Sequence, residues 1–307
     1  MALPVVAVAL VGATLAGCGG KDKDNNTGGS NAGGNATAGA SAGPGKAAKV
    51  TVDKTVFFGG FKVEVGEATY TPGKDEYDPG TVVISATFEN LGPRPATLDA
   101  EPALSGHGEA FESTKINGVD GVPQVPGGLT GKGNFTFEVD GDFTLDDAAL
   151  TLGRGDDNQA VVPIGASGGK LVALEPVEFP LTGTVKVSNL SAKLLSGELR
   201  ADVPEDHDQV AKGKLALTLT FDITNSSTYA GGYAFAFGTN IFLTVPDGTS
   251  ITGEDGPIEL LHAVSTMKGL KVRFVIDAPV EGSYGFGIRD DMKNLRGSVK
   301  INLPAFS

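Results

Sequence analysis

The sequence predicts an all-β protein, two tandem β-sandwiches behind a leader and a polar tether. Three observations predict it. Short apolar runs alternate with period two and are broken by Gly, Pro, Asp and Asn. No stretch of the length a helix needs shows helical periodicity. The second half of the chain repeats the order of the first at a near-constant shift. A length of 307 residues suits two domains, at roughly 100–200 residues each. The 40% hydrophobic content supplies packed cores, and 45 Gly without a Gly-X-Y period exclude collagen. A net charge of −13 argues against nucleic acid or an anionic membrane surface as partner, since both need clustered Lys and Arg. One Cys allows no internal disulfide and no Cys-based zinc site.

Residues 1–17 read MALPVVAVALVGATLAG and carry no charge. The run is shorter than the roughly 20 residues of a membrane span but suits the core of a secretion signal. It ends in Leu15-Ala16-Gly17-Cys18. This resembles the bacterial lipoprotein lipobox, which implies a signal peptide over 1–17 and Cys18 as the lipid attachment site. The chain's single Cys falls there, and the alternative is a structural Cys in a core segment. The basic stretch usual before the apolar run is missing, which a start codon placed too far downstream would explain. Residues 18–47, rich in Gly, Asn, Ala and Ser, have almost nothing to bury and are expected to be a disordered, flexible tether. A 30-residue tether of that composition reaches about 30 Å.

From Lys49 onward the strands begin. Val50-Thr51-Val52, Phe61 to Val65 and Val82 to Phe88 alternate as half-buried strands do. Turn chemistry separates them at Pro72-Gly73, Asp78-Pro79-Gly80, Gly92-Pro93 and Pro126-Gly127. Val82 to Asn90 lies over Leu217 to Asn225 at a shift of 135, and Val50-Thr51-Val52 over Val185-Lys186-Val187 at the same shift. Phe135 to Asp140 lies over Val272 to Asp277 at 137. Leu152-Gly153 and Asp156-Asp157 lie over Phe286-Gly287 and Asp290-Asp291 at 134. The expected domains are therefore 48–177 and 178–307, with net charges of −11 and −3. The acidic unit follows the tether directly, which favours solubility and repulsion from an anionic surface.

A long alternating strand ending in Asn, a polar hairpin (Gly106-His107-Gly108, then Asp247-Gly248) and the Pro126 to Lys132 segment leading into Phe135-Thr136-Phe137 carry a resemblance. They resemble the immunoglobulin-like modules of exported actinobacterial lipoproteins, similar in fold to a small secreted mycobacterial antigen. The resemblance implies two tandem immunoglobulin-like sandwiches and transfers little about function. The second copy departs from it, reading LLHAVSTMKG over 260–269 in place of the Pro-Gly step. The Cys…Trp…Cys core of antibody domains is also absent.

Chemistry-bearing candidates are few. Asp140, Asp142, Asp146 and Asp147 could ligate Ca²⁺ from a loop, but Thr144, Leu145 and Thr151 stand where an EF-hand needs a ligand, Gly and Glu, so a solvated turn is expected. Glu205-Asp206-His207-Asp208 reads the same way. His107, His207 and His262 lack metal-ligand spacing. No nucleophile elbow, Ser-x-x-Lys or phosphate loop occurs, and nothing in sequence near Gly165 to Gly169 supplies a base. Arg154-Gly155-Asp156 is read as a turn of the repeat, not an integrin ligand. No catalytic, cofactor or metal residue is expected. In Tyr229 to Gly238, period two places Tyr233, Phe235 and Phe237 on one face. They form either a core strand or an edge facing a partner, and burial of Phe235 decides between the two.

The expected protein is non-catalytic and lipid-anchored at the outer face of the cell membrane. It would bind a protein or glycan through loops at the sandwich ends or a strand edge. The alternatives are an envelope spacer without a ligand and an enzyme with a dispersed active site.

Overall fold

The computed structural model describes residues 45–75, 77–113, 124–254, 258–278, 280 and 282–306. The expected leader over 1–17, Cys18 and nearly all of the expected tether over 18–47 lie outside the described residues. The described residues all lie in one compact unit, in which strands follow the alternation.

The first half contains β1 (Ala48–Phe58), β2 (Phe61–Thr71), β3 (Gly80–Asn90), β4 (Ala103–Gly106), β5 (Glu109–Glu112), β6 (Thr130–Val139), β7 (Ala149–Leu152) and β8 (Ala160–Pro163). The second half opens with β9 (Val177–Pro180), β10 (Thr184–Val187), β11 (Leu190–Arg200), β12 (Asp202–Val203), β13 (Asp208–Gln209) and β14 (Lys214–Asn225). It continues through β15 (Tyr233–Ala236), the single-turn α1 (Phe237–Asn240), β16 (Ile241–Thr244), β17 (Ser250–Thr252) and β18 (Ile258–Leu261). It closes with β19 (Ser265–Asp277), β20 (Tyr284–Asp290) and β21 (Leu295–Ile301).

Each half is built on two main antiparallel sheets with the same strand order, beside which the second half has the two-stranded pairs β12-β13 and β15-β18. The first has β1-β2-β3-β6 and β5-β4-β7-β8; the second has β10-β11-β14-β19, with β9 also on β11, and β17-β16-β20-β21. The sheets meet through their apolar faces. Phe221 of β14 packs on Phe286 of β20 with ring centroids 5.5 Å apart, and both are fully buried. The first half has Tyr70 of β2 against Phe143 at 5.8 Å. Such ring pairs add to the burial that drives sheet stacking. Among the described residues, no named sheet contains strands of both halves.

β2 and β11 share the same succession of buried, half-buried and exposed side chains over their first ten positions, which shows the duplication at the level of single side chains. One repeat match is corrected by the pairing. Val50 lies opposite Ala68, whereas Val185 lies opposite Ala192, as Val56 lies opposite Val63. The true counterpart of Val185 is thus Val56, at a shift of 129 instead of 135. Period-two patterning cannot detect this slip, because an even displacement keeps every side chain on its face. The shift becomes 135 only after the connection between β11 and β14, since Phe61 faces Asn90 as Leu190 faces Asn225. The six extra residues therefore sit in the connection 201–213.

That connection joins the halves. Gly59 N–H donates to Gln209 Oε1 and Gly60 N–H to Asp202 Oδ2, both at 2.9 Å. Arg94 donates to the Glu205 carbonyl at 2.8 Å. His207 Nε2 lies 2.9 Å from Asn90 Oδ1, with its ring 5.7 Å from that of Phe61. Asn90 Nδ2 already donates to the Arg94 and Val125 carbonyls, so its Oδ1 accepts and His207 carries its proton on Nε2. Glycines make the approach possible. A Cβ on Gly92 would lie 2.2 Å from the Pro204 carbonyl oxygen, and one on Gly60 3.0 Å from Pro204 Cα. The acidic run at 205–208 is partly exposed, but it is a docking tip and not a free turn.

Candidate functional site

The acidic turn of the first half is held by its own hydrogen bonds. His107 N–H donates to Asp147 Oδ2 at 2.7 Å, and the His107 ring lies 3.8 Å from Asp142. A hydrogen bond that its protonated form donates to the Asp140 carboxylate, together with the charge of Asp140, pushes the exposed Glu109 carboxyl up. Among the described residues, no three His, Cys, Asp or Glu side chains come together as metal ligands. The Arg154-Gly155-Asp156 turn is also engaged: Arg154 bonds Glu101 at 2.8 Å, and the Asp156 carbonyl accepts Lys212 N–H at 2.7 Å across the junction of the halves.

Burial decides the aromatic stretch. Phe235 is fully buried and Phe237 is 3% exposed, so the reading of these side chains as a partner-facing edge is corrected to core. Phe237 begins α1, turning off the strand onto Phe221. Tyr233 is half-buried, and its hydroxyl accepts Asp291 N–H at 3.2 Å. Burial, together with the charges of Asp290 and Asp291, pushes the Tyr233 phenol up.

The duplication draws attention to one corner of each half, where an Asn closes a long strand. Asn90 Nδ2 donates to the Val125 carbonyl while its Oδ1 accepts Gly92 N–H. In the same manner Asn225 Nδ2 donates to the His262 and Leu261 carbonyls while its Oδ1 accepts Ser227 N–H. Ser226 N–H bonds the Asn189 carbonyl as Leu91 N–H bonds that of Gly60. The first corner is covered by residues 204–207. The second opens into a recess of about 230 Å³ lined by Leu190, Asn225, Tyr229, Tyr233, Asp290 and Met292, among others.

Residue type changes between the corners in a consistent direction. Gly60 and Gly92 become Asn189 and Ser227, and Arg94 becomes Tyr229. The second corner therefore presents side chains where the first admits a docked backbone. Around it, Tyr229, Met292, Leu260 and Val264 are 50–77% exposed. Val264 also holds φ at +49°, a left-handed backbone that a β-branched residue rarely adopts. Strain of this kind clusters at functional sites. Sequence reading missed this corner, although the shared Asn90 and Asn225 signal was visible. Two other shallow recesses lie over equivalent bulges, one lined by Gly66 and Ser85, the other by Leu195 and Thr220. They recur in both halves as a consequence of bulged strands.

Comparison with protein-family models, curated proteins and solved structures returns no match. Among the described residues, no helix is long and apolar enough to cross a membrane.

Proposed function

We propose that the chain is a non-catalytic binding protein of the cell envelope. Its two immunoglobulin-like modules are lipid-anchored through Cys18 at the outer face of the membrane. Strand order supports the module reading. With β1 set aside, β2-β3-β6 against β5-β4-β7-β8 matches an immunoglobulin-type partition in which the second sheet gains one edge strand. The second half repeats the arrangement. The resemblance to exported actinobacterial lipoproteins belongs to the same proposal, as does the signal peptide.

The observation that carries the binding reading is the open corner of the second half. Its first-half counterpart is occupied by protein, while it combines a recess with four exposed apolar side chains. Recesses that join apolar walls to a few placed polar groups are where proteins take ligands. A spacer without a ligand has no use for such an end. The tether would hold this end away from the bilayer, and the acidic first half would keep it from lying flat on an anionic surface.

The anchor is tested by fractionation. Cys18→Ser protein is expected to leave the membrane fraction for the medium, or to accumulate as unprocessed precursor. Wild-type protein without lipid on a mature N-terminus at residue 18 would contradict the anchor.

A further inference from the structure

We propose that the open corner of the second half receives an arginine side chain from a partner protein, its guanidinium set between Tyr229 and the acceptors of Asn225 and Asp290. This rests on the binding reading above and names what that corner takes.

The inference starts from donors and acceptors. Both hydrogens of the Asn225 amide are spent on the Leu261 and His262 carbonyls, so this buried side chain offers only an oxygen. That oxygen accepts one N–H, from Ser227, and keeps a second lone pair. In the first half the equivalent lone pair on Asn90 takes a ring N–H, that of His207. Asp290 is 4% exposed, and the one hydrogen bond its carboxylate accepts among the described residues is a long one, from Lys293 N–H at 3.3 Å. Its remaining lone pairs are open to further donors. The recess therefore presents acceptors, and its occupant brings donors.

Charge and shape narrow the occupant. Tyr229 is 66% exposed and Met292 77%, giving a π face and a polarisable wall beside the buried carboxylate. A flat delocalised cation satisfies the ring face and the oxygens together, which a compact ammonium does less well. The one cation lining the recess, Lys293, is held on Ser188 Oγ at 2.7 Å. The docking tip of a second copy does not fit, because a Cβ at the Gly92 position would lie 2.6 Å from the His207 ring nitrogen, and Ser227 has that Cβ. What enters is a side chain without a closely following backbone. The acidic chain, at −13, also favours a basic partner.

The test is a nuclear magnetic resonance titration of residues 45–307 with N-acetyl-argininamide, alongside its neutral isostere N-acetyl-citrullinamide, N-acetyl-lysinamide and N-acetylglucosamine. Saturable shifts at the amides of residues 225, 227, 229 and 290 with the arginine probe are expected, at least about tenfold weaker with citrulline, since a charged hydrogen-bond partner is lost. Asp290→Asn and, separately, the exposed Tyr229→Ser should each weaken the arginine response by about the same factor, with amide spectra elsewhere unchanged. Equal response to citrulline, stronger response to the lysine or sugar probe, or no shift at these amides would overturn the arginine assignment. Binding elsewhere on the protein would still be open to detection on cells, so failure of this assignment is distinct from failure of the binding reading.

Discussion

Asp202→Ala is expected to cost about 3–5 kcal/mol of stability, the usual cost of removing one partner from a buried ion pair. Asp202 is 2% exposed and takes Arg200 Nε at 2.7 Å and Arg200 Nη2 at 3.3 Å. Its Oδ2 also takes Gly60 N–H from the other half. Burial alone would lower the Arg200 pKa, but the Asp202 and Glu198 carboxylates outweigh it and hold it above the ordinary arginine value. The Ala variant leaves that guanidinium with Glu198 alone and leaves a backbone N–H of the first half without its acceptor. Asp202→Asn keeps an oxygen for Gly60 and should lose less. Urea unfolding read at two wavelengths checks this, and a loss below about 1 kcal/mol would show that the pair is not enclosed.

Phe221→Ala is the second large effect, expected at about 3–5 kcal/mol because it removes a ring wholly enclosed between two sheets. Phe221 is fully buried and touches Phe286 across the sandwich and Phe237 of α1, with centroids at 5.5 and 6.0 Å. Phe221→Leu keeps most of the volume and should cost roughly half as much or less. Denaturant midpoints with an unchanged slope are the readout. Equal loss in both variants would mean that the ring's volume is not what holds the sheets together.

Much of this architecture was legible because period-two alternation reports which face is buried. β2, β3 and β14 follow it almost residue by residue. The duplication was legible for the same reason, and the same periodicity hid the six-residue slip at Val185. The junction of the halves was not legible. Glu205 to Asp208 has the composition of a solvated turn, and its docking depends on Gly60 and Gly92, over a hundred residues away, being bare of side chains. The open corner was half legible. Asn225 stood out as the end of a repeat strand, but its spare acceptor shows only once both amide hydrogens have partners. The aromatic run pointed to the right neighbourhood through Tyr229, while Phe235 and Phe237 turn inward.

The two corners also bear on assembly. A duplicated module whose first unit receives a tip of the second could extend into filaments if the last corner accepted the same tip from another copy. Asn189 and Ser227, standing where the first half has Gly60 and Gly92, close that route. The same side chains that exclude this tip supply the polar rim of the recess.

The most direct test places a photo-crosslinking residue at Tyr229 in intact cells, with the same residue at Thr218 on the outer face of β14 as control. A discrete adduct at 229, absent at 218 and weakened in an Asp290→Asn background, is the predicted result. No adduct at 229 above the 218 control would contradict the claim that this corner is the binding end of the protein.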